Sequence, residues 1–250
     1  MRVNVLGVGF DDITMAQAVS RAFEMIQDGS KAYVVTPNPE IVWQSRRNEA
    51  LRTALNGAGL VLPDGIGIVY GAKILGTPLR GGRLAGIDFS SALLAKLAES
   101  GGSVYLLGAK PGVAELAGEK LLDSYPGLVI AGVTDGYFTE DLQVIESINA
   151  ANPDMLLVCL GAPKQELWMA NNIAGLSVDL SVGLGGALDV FAGKVNRAPA
   201  FFQKLGLEWL YRIVRYPRRL KRSAALPLFM LAVLWKRITG KRENVNIQRL

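Results

Sequence analysis

Short runs of β-branched and other apolar residues alternate with longer segments of helical period from the start of the chain to about residue 190. This alternation predicts an α/β fold, with a mostly parallel, Rossmann-like sheet and helices on both faces. Asn38 followed by Pro39 is typical of a helix start. Strands are predicted near residues 3–8, 32–36, 59–62, 103–108, 128–133, 155–160 and 177–182. Helices are predicted between them, among others at residues 14–27, 93–99 and 112–125.

Polar or glycine-rich turns follow four of the predicted strands. In a parallel sheet, ligands bind outside the carboxyl ends of the strands, so these turns are the first candidates for function. Four such turns at matching ends of one sheet are hard to explain by structure alone. They are residues 36–40 (TPNPE), 62–67 (LPDGIG), 108–112 (GAKPG) and 161–166 (GAPKQE), and glycines at residues 183–186 follow the last strand.

The residue types in these turns suit structural as well as functional roles. Asn38 either caps the helix after it or, with Thr36, borders a ligand. Asp64 ends an apolar strand, a position that suits both a helix cap and a general base. Gly108 lets backbone amides approach a diphosphate, although its turn lacks the Gly-x-Gly-x-x-Gly pattern. The residues alone leave these alternatives open.

The 250 residues contain no histidine and a single cysteine. Acid and base chemistry therefore falls to Asp, Glu, Lys, Tyr or Cys, and a carboxylate is the first candidate. Cys159 lies in an apolar run, which is typical of a small buried residue rather than a nucleophile. The chain has no Asp-x-Asp pair, and the adjacent Asp11 and Asp12 are predicted to cap a helix. We therefore expect no metal site and no cofactor.

The charge is divided between an acidic body and a basic tail. Residues 1–195 carry 14 Lys+Arg against 20 Asp+Glu, a net charge of −6, and residues 196–250 carry 13 against 2, a net charge of +11. In the tail, polar residues spaced by three or four predict one helix over residues 199–216 with a narrow polar stripe. A dense basic cluster follows Pro217.

Residues 224–235 contain no charge and are flanked by cations. As a helix they would be ~18 Å long, against ~30 Å of bilayer hydrocarbon. The segment is predicted to lie in the interface of an anionic cytoplasmic leaflet. The alternative is that it packs on the body or on another subunit, and binding to nucleic acid is less favoured. No stretch of about 20 apolar residues and no secretory signal stands out.

Five segments together resemble the WecG/TagA/CpsF family of bacterial glycosyltransferases, in order and over nearly the whole chain. The resemblance implies a membrane-associated enzyme that moves a sugar from a UDP-sugar donor to a sugar on a polyprenyl diphosphate acceptor. In the teichoic-acid linkage-unit enzymes of the family this sugar is N-acetylmannosamine. The segments are residues 36–40, 62–67, 83–88 (RLAGID) and 161–166, and the ending from residues 197–199 (RAP) to 208–212 (EWLYR).

The resemblance also implies roles for single residues. Asp64 would act as the base, and Thr36 and Asn38 would border the two sugars. Arg83 and Gln165 would line the same pocket, with Arg83 suited to the charge of the leaving diphosphate because its planar fork matches a phosphate. The remaining predicted substrate contacts are Gly108, Gly161, Tyr137 and the tail residues Arg212, Arg219 and Arg222.

These observations predict an inverting, metal-independent transferase in cell-surface polymer synthesis. Its α/β catalytic domain would span residues 1–195, and its membrane-associating helical tail would span residues 196–250. The enzyme would be peripheral on the cytoplasmic face of the cell membrane and would not bind nucleic acid. Two other functions stay open: a nucleotide-binding adaptor without catalysis, and an NAD-dependent oxidoreductase, which the missing dinucleotide pattern disfavours. The donor sugar and a homo-oligomeric state also stay open.

Overall fold

The structure is a computed structural model that describes residues 1–204, 206–215 and 225–240. A hairpin of β1 (Arg2–Val5) and β2 (Val8–Asp11) precedes the main sheet. The strands of that sheet are β3 (Ala32–Val35), β4 (Leu60–Val61), β5 (Ser103–Gly108), β6 (Val129–Thr134), β7 (Met155–Cys159) and β8 (Leu180–Gly183). Their order is β4-β3-β8-β7-β5-β6, with every neighbouring pair parallel, which confirms the predicted fold class.

Helices cover both faces of this sheet. They are α1 (Met15–Gln27), α2 (Pro39–Ser45), α3 (Glu49–Gly57), α4 (Ile66–Ile74), α5 (Gly86–Glu99), α6 (Val113–Ser124), α7 (Asp141–Ala151), α8 (Lys164–Asn172), α9 (Ala187–Phe191), α10 (Ala200–Lys204), α11 (Glu208–Arg215) and α12 (Ala225–Thr239). Helices α1, α5, α6 and α9 share one core with Val34 and Leu106, and α2, α3, α4, α7 and α8 share the other with Val35 and Leu107. Adjacent strand residues serve opposite cores because side chains alternate along a strand.

Two helix starts follow from local hydrogen bonding. Thr14 is the N-cap of α1, where its side chain and that of Gln17 bond each other's backbone amides in a capping box. Asn38 is the N-cap of α2, with its Oδ1 accepting from the Ile41 amide at 3.0 Å and Pro39 in the first helical position. The start predicted at Asn38 is thus confirmed.

The predicted strand over residues 3–8 is wrong in its extent. Leu6 and Gly7 both have positive φ, 53° and 94°, and join β1 to β2 as a two-residue hairpin turn. The Asn4 side chain accepts from the Gly7 amide at 3.1 Å and holds this turn. The hairpin forms a separate sheet of two antiparallel strands.

The prediction that Asp11 and Asp12 cap a helix is wrong. The Asp11 carboxylate accepts from the Val61 amide at 2.9 Å and contacts Arg2 at 3.2 Å. Asp12 Oδ1 accepts from the backbone amides of residues 80 and 81. Both carboxylates therefore connect the hairpin to distant parts of the chain, and Thr14 starts α1 in their place.

The single helix predicted over residues 199–216 is also wrong, because α10 and α11 are separate. Between them, Gly206 has a φ of 69°, a left-handed conformation that interrupts a helix and suits glycine. An ideal Cβ on Gly206 would lie 2.9 Å from Ile66 Cβ, so the break brings the chain close to the start of α4.

The uncharged segment forms most of α12 and packs on the body by one face. Phe229 and Val233 are fully buried, and both approach Gly71 of α4. For this face, the alternative that the segment packs on the body is thus confirmed. The opposite face is exposed and apolar, and includes Leu228, Leu231, Leu234, Trp235 and Ile238. In the parts of the chain that the structure describes, no helix is long and apolar enough to span a bilayer.

Candidate active site

All the predicted turns lie at the carboxyl edge of the six-stranded sheet. Helix α6 follows β5 on one face, whereas α8 follows β7 on the opposite face. Because β5 and β7 are neighbours and their connections leave on opposite faces, the turns at residues 108–112 and 161–166 flank the position at which α/β sheets form a ligand crevice. The order of the strands therefore places the glycine turns where α/β proteins bind ligands.

The Asp64 turn lies against the Asn38 turn. The Asp64 amide donates to the Pro37 carbonyl at 3.3 Å. An ideal Cβ on Gly65 would lie 3.4 Å from Pro39 Cδ and 4.0 Å from Asn38 Cβ. Gly65, with a φ of 92°, occupies the N-cap position of α4, so Asp64 stands just outside the helix. The turn that carries the half-buried Asp64 thus lies at the strand end, next to the turn that carries Asn38.

Thr36 and Gln165 hold the glycine segment 183–186 from two sides. The Thr36 hydroxyl donates to the Gly183 carbonyl at 3.1 Å, and Gln165 Oε1 accepts from the Gly185 amide at 2.8 Å. The other end of the Gln165 amide donates to Glu166 at 2.9 Å. Thr36 and Gln165 are only 8% and 3% exposed. The structure therefore gives both side chains backbone partners within the site.

Gly108, Gly161 and Tyr137 lie at the carboxyl ends of β5, β7 and β6. Gly108 has a φ of 128°, and a side chain there would collide with the Cys159 carbonyl. Gly161 faces open space, with a φ of 77°. The Gly136 amide donates to the Ala109 carbonyl at 2.9 Å, which places the 68% exposed Tyr137 next to the Gly108 turn. These three predicted contact residues thus share one side of the carboxyl edge.

Arg83 is paired with a residue of the tail. Its Nη2 lies 2.8 Å from Glu208 Oε2, and both side chains are 15% exposed. The Leu84 amide donates to the Pro63 carbonyl at 2.9 Å, so the Arg83 segment is tied to the Asp64 turn. A cleft of about 350 Å³ lies here, lined by Ile66, Arg83, Asp88, Gln203 and Gly206.

Asp88, Arg197 and Glu208 complete this ionic region, and none of the three had a predicted role of its own. Arg197 binds Asp88 through both terminal nitrogens, with Nη1 2.5 Å from Oδ1 and Nη2 2.7 Å from Oδ2, and the hydrogen bond to Asp88 raises the pKa of Arg197. Arg197 Nε lies 3.5 Å from Glu208 Oε1, close enough for attraction but without a hydrogen bond. Glu208 is one of two acidic residues in the tail, and this rarity is the signal in the sequence that could have singled it out.

The predicted tail arginines can be placed only in part. Arg212 belongs to α11, the helix that begins with Glu208. Arg219 and Arg222 lie outside the described residues. Their predicted contacts with a diphosphate therefore stay predictions.

Two buried groups have altered acidity. Burial raises the pKa of the Cys159 thiol to about 12, which agrees with a small packed residue rather than a nucleophile. Burial also raises the pKa of Glu166, whose Oε2 has no hydrogen-bond partner. No three acidic or cysteine side chains among the described residues gather as a metal site would require. The predicted metal independence stays a prediction.

Glu166→Gln should change how stability depends on pH. Above a pH of about 4.5 the unfolded chain loses the Glu166 proton, while the folded chain keeps it until its raised pKa is passed. The free energy of unfolding of the parent should therefore fall with pH in this interval, by up to about 1.4 kcal/mol per pH unit from this group. The variant should lack that contribution. Urea unfolding of both proteins from pH 4 to 8 measures it, and parallel curves would contradict the assignment.

The parallel sheet and the polar turns at its carboxyl edge are those of an α/β protein, a class in which ligands bind at this edge. The profile of the glycosyl transferase WecG/TagA/CpsF family matches residues 3–243. The chain belongs to this family of glycosyltransferases, as its motifs predicted.

Three similar relatives share one name, N-acetylglucosaminyldiphosphoundecaprenol N-acetyl-beta-D-mannosaminyltransferase. The protein of Bacillus spizizenii is 38% identical over 226 residues, which are 90% of this chain and 88% of the relative. That of Bacillus subtilis strain 168 is 37% identical over 81% of this chain and 79% of its own. The protein of Staphylococcus aureus strain MW2 is 35% identical over 93% of this chain and 92% of the relative.

Proposed function

We propose that the chain transfers N-acetylmannosamine from a UDP-sugar to undecaprenyl-diphosphate-linked N-acetylglucosamine during synthesis of a cell-surface polymer. The observation that carries the proposal is the similarity to the Bacillus spizizenii relative over 90% of the chain, a length that includes body and tail residues. A nucleotide-binding adaptor and an NAD-dependent oxidoreductase are disfavoured, because the relatives are named as sugar transferases.

Asp64 is the proposed general base. Its carboxylate takes the proton of the acceptor hydroxyl while that oxygen attacks the anomeric carbon of the donor sugar. The bond from this carbon to the diphosphate breaks in the same displacement, UDP leaves with the electron pair, and the anomeric centre is inverted. The half-buried strand-end position supports this role, since the Pro37 carbonyl and Gly65 fix the turn that carries the carboxylate.

Positive charge and backbone amides would stabilise the departing diphosphate. Arg83 borders the cleft next to the Asp64 turn. Helix α6 begins after Gly112 without a side-chain cap. The Val113 amide donates to the Lys110 carbonyl, so the amides that follow Val113 can face a phosphate at the Gly108 turn. We propose that these groups share the leaving-group charge, together with the tail residues Arg212, Arg219 and Arg222.

The remaining predicted residues would shape the sugar and nucleotide sites. Asn38 lies beside the Asp64 turn, where the two sugars must meet. Thr36 and Gln165 would act through the glycine segment 183–186, whose backbone they hold. Gly161 and the exposed Tyr137 would border the nucleotide in the crevice between β5 and β7.

The tail would attach the α/β catalytic domain of residues 1–195 to an anionic membrane on its cytoplasmic face. Helix α12 packs by Phe229 on the body and presents the opposite, apolar face to solvent. Lys236 and Arg237 stand in its last turn, and the tail carries a net charge of +11. An apolar face next to cations suits insertion at the interface of anionic lipid.

The test is transfer by the purified full chain. UDP-N-acetylmannosamine and undecaprenyl-diphosphate-linked N-acetylglucosamine in anionic vesicles should release UDP and give the lipid-linked disaccharide, detected by mass spectrometry. UDP-N-acetylglucosamine and NAD serve as control donors. Absence of disaccharide with every UDP-sugar would refute the transferase proposal, and transfer of another sugar would refute only the donor assignment.

The same assay should proceed without a divalent metal. In excess chelator we expect most of the rate to persist, with little gain from added magnesium or manganese, because arginines and helix amides would carry the leaving-group charge. The measurement is the initial rate of UDP release with and without chelator. Full loss in chelator, restored by one divalent ion, would contradict the prediction.

A further inference from the structure

Four charged side chains form one ionic cluster between body and tail, the Arg83 cluster, which consists of Arg83, Asp88, Arg197 and Glu208. Glu208 lies at its centre, 2.8 Å from Arg83 and 3.5 Å from Arg197. Arg197 in turn binds Asp88 with two hydrogen bonds. Two cations and two anions thus balance, and Glu208 is the member that contacts both arginines.

The cluster is connected through the backbone to the turn that carries the proposed base. Arg83 precedes Leu84, whose amide binds Pro63, the residue before Asp64. Glu208 starts α11 two residues after Gly206, which touches Ile66, the first residue of α4. Body and tail therefore meet within two residues of Asp64 along the chain.

The cleft at this junction has walls from both parts. Ile66, Arg83 and Asp88 belong to the body, and Gln203 and Gly206 belong to the tail. An arginine presents five N–H donors in a planar fork, and the contact with Glu208 is made by Nη2. The same guanidinium can thus hold Glu208 and still offer donors to an anion in the cleft.

We propose that Glu208 is a positioning residue for the transfer reaction: supplied by the tail, its carboxylate fixes the Arg83 guanidinium in the cleft for the diphosphate. The inference rests on the proposed function in taking a diphosphate as the anion. A long arginine side chain has considerable rotamer freedom, and a nearly buried carboxylate at 2.8 Å removes much of it before substrate arrives. The tail would thereby affect the chemistry through an acid as well as through its arginines.

The opposite role for Glu208, competition with the diphosphate for Arg83, leads to opposite results. A positioning carboxylate makes Arg83 more effective, so its loss lowers the rate and weakens anion binding. A competing carboxylate occupies Arg83, so its loss strengthens anion binding. The contact of Glu208 with Arg197 favours positioning, because a carboxylate held by two arginines is poorly placed to leave for each turnover.

Glu208→Gln in the full chain tests the inference. It keeps the shape and one acceptor but removes the charge, and we expect kcat to fall roughly ten- to a hundredfold. The KM for donor should rise about tenfold, because the donor carries the diphosphate that Arg83 binds. In an Arg83→Ala background the same change should lower kcat less than about twofold, because the two residues act as one unit. Glu49→Gln, which removes an exposed acid paired with Arg52 on α3, is the matched control and should leave the rate unchanged.

A readout independent of sugar transfer is the affinity for inorganic pyrophosphate, measured by calorimetry. Glu208→Gln should weaken it about tenfold relative to Glu49→Gln, and this result would support the inference even if no sugar were transferred. Multiplicative losses in the double variant, unchanged pyrophosphate affinity, or tighter binding would each overturn it. Glu208→Asp, which keeps the charge but shortens the side chain, replaces Glu208→Gln if that protein does not fold.

Discussion

Asp64→Asn is expected to lower kcat by about two to four orders of magnitude, the usual size of a general-base effect, with little change in melting temperature. The amide has nearly the shape of the carboxylate but cannot accept the proton of the acceptor hydroxyl. The chain has no histidine that could act as a substitute base. Initial rates of UDP release and a thermal melt of the same preparations measure both effects.

The matched control is Asp123→Asn, which makes the same chemical change at an exposed position in α6. It should leave both the rate and the melting temperature close to those of the parent. If Asp64→Asn turned over at nearly the parental rate, the base would have to be sought elsewhere. Equal losses of rate and folded protein would instead assign Asp64 a structural role.

The sequence predicted the sheet well because its strands, except the edge strand β6, are largely buried on both faces. Apart from Ser103, the residues of β5 and β7 are apolar without interruption, and each run is separated from the next by a helix of readable period. The short hairpin near residue 6 was not predicted, because Leu6 has a positive φ that is unusual for leucine. A turn of two residues was therefore interpreted as the interior of one strand.

The positions of the candidate site residues at the strand ends could be predicted from the sequence, but the hydrogen bonds and ion pairs of these residues could not. Strand ends located Thr36, Asp64 and Gln165, since a parallel sheet brings its carboxyl ends to one edge. Local sequence could not show that the Thr36 hydroxyl would bond the carbonyl of Gly183, which is 147 residues away along the chain. Local sequence likewise could not show that Glu208 would pair with Arg83, which is far from it along the chain.

Removing the whole tail would not isolate membrane binding. A chain that ends at Val195 loses Glu208 and Arg197, the partners of Arg83 and Asp88, as well as Phe229 in the core between α12 and the body. Phe229 is fully buried, so even its single replacement by a small residue should cost about 3–5 kcal/mol of stability. Membrane attachment has to be tested on exposed residues alone.

Replacing Leu228, Leu231 and Leu234 by serine should release the chain from anionic liposomes without unfolding it. All three side chains are exposed on α12, so little packing is lost. If each contributes roughly 1 kcal/mol on insertion, partitioning should fall by about a hundredfold or more. Flotation with vesicles rich in anionic lipid measures the bound fraction. For the parent protein, raised salt should weaken binding without abolishing it, because salt screens the basic residues but not the apolar contacts.

The matched control replaces three exposed apolar residues of the body by serine: Leu122, Val129 and Leu142. These lie on α6, β6 and α7, whereas α12 packs on α2 and α4, and the variant should float as the parent does. Turnover of a water-soluble acceptor should be nearly the same in both serine variants, since neither set contacts the described site. If the α12 variant still floated with anionic liposomes, insertion by its exposed face would be refuted, and the basic residues alone would have to hold the protein at the membrane.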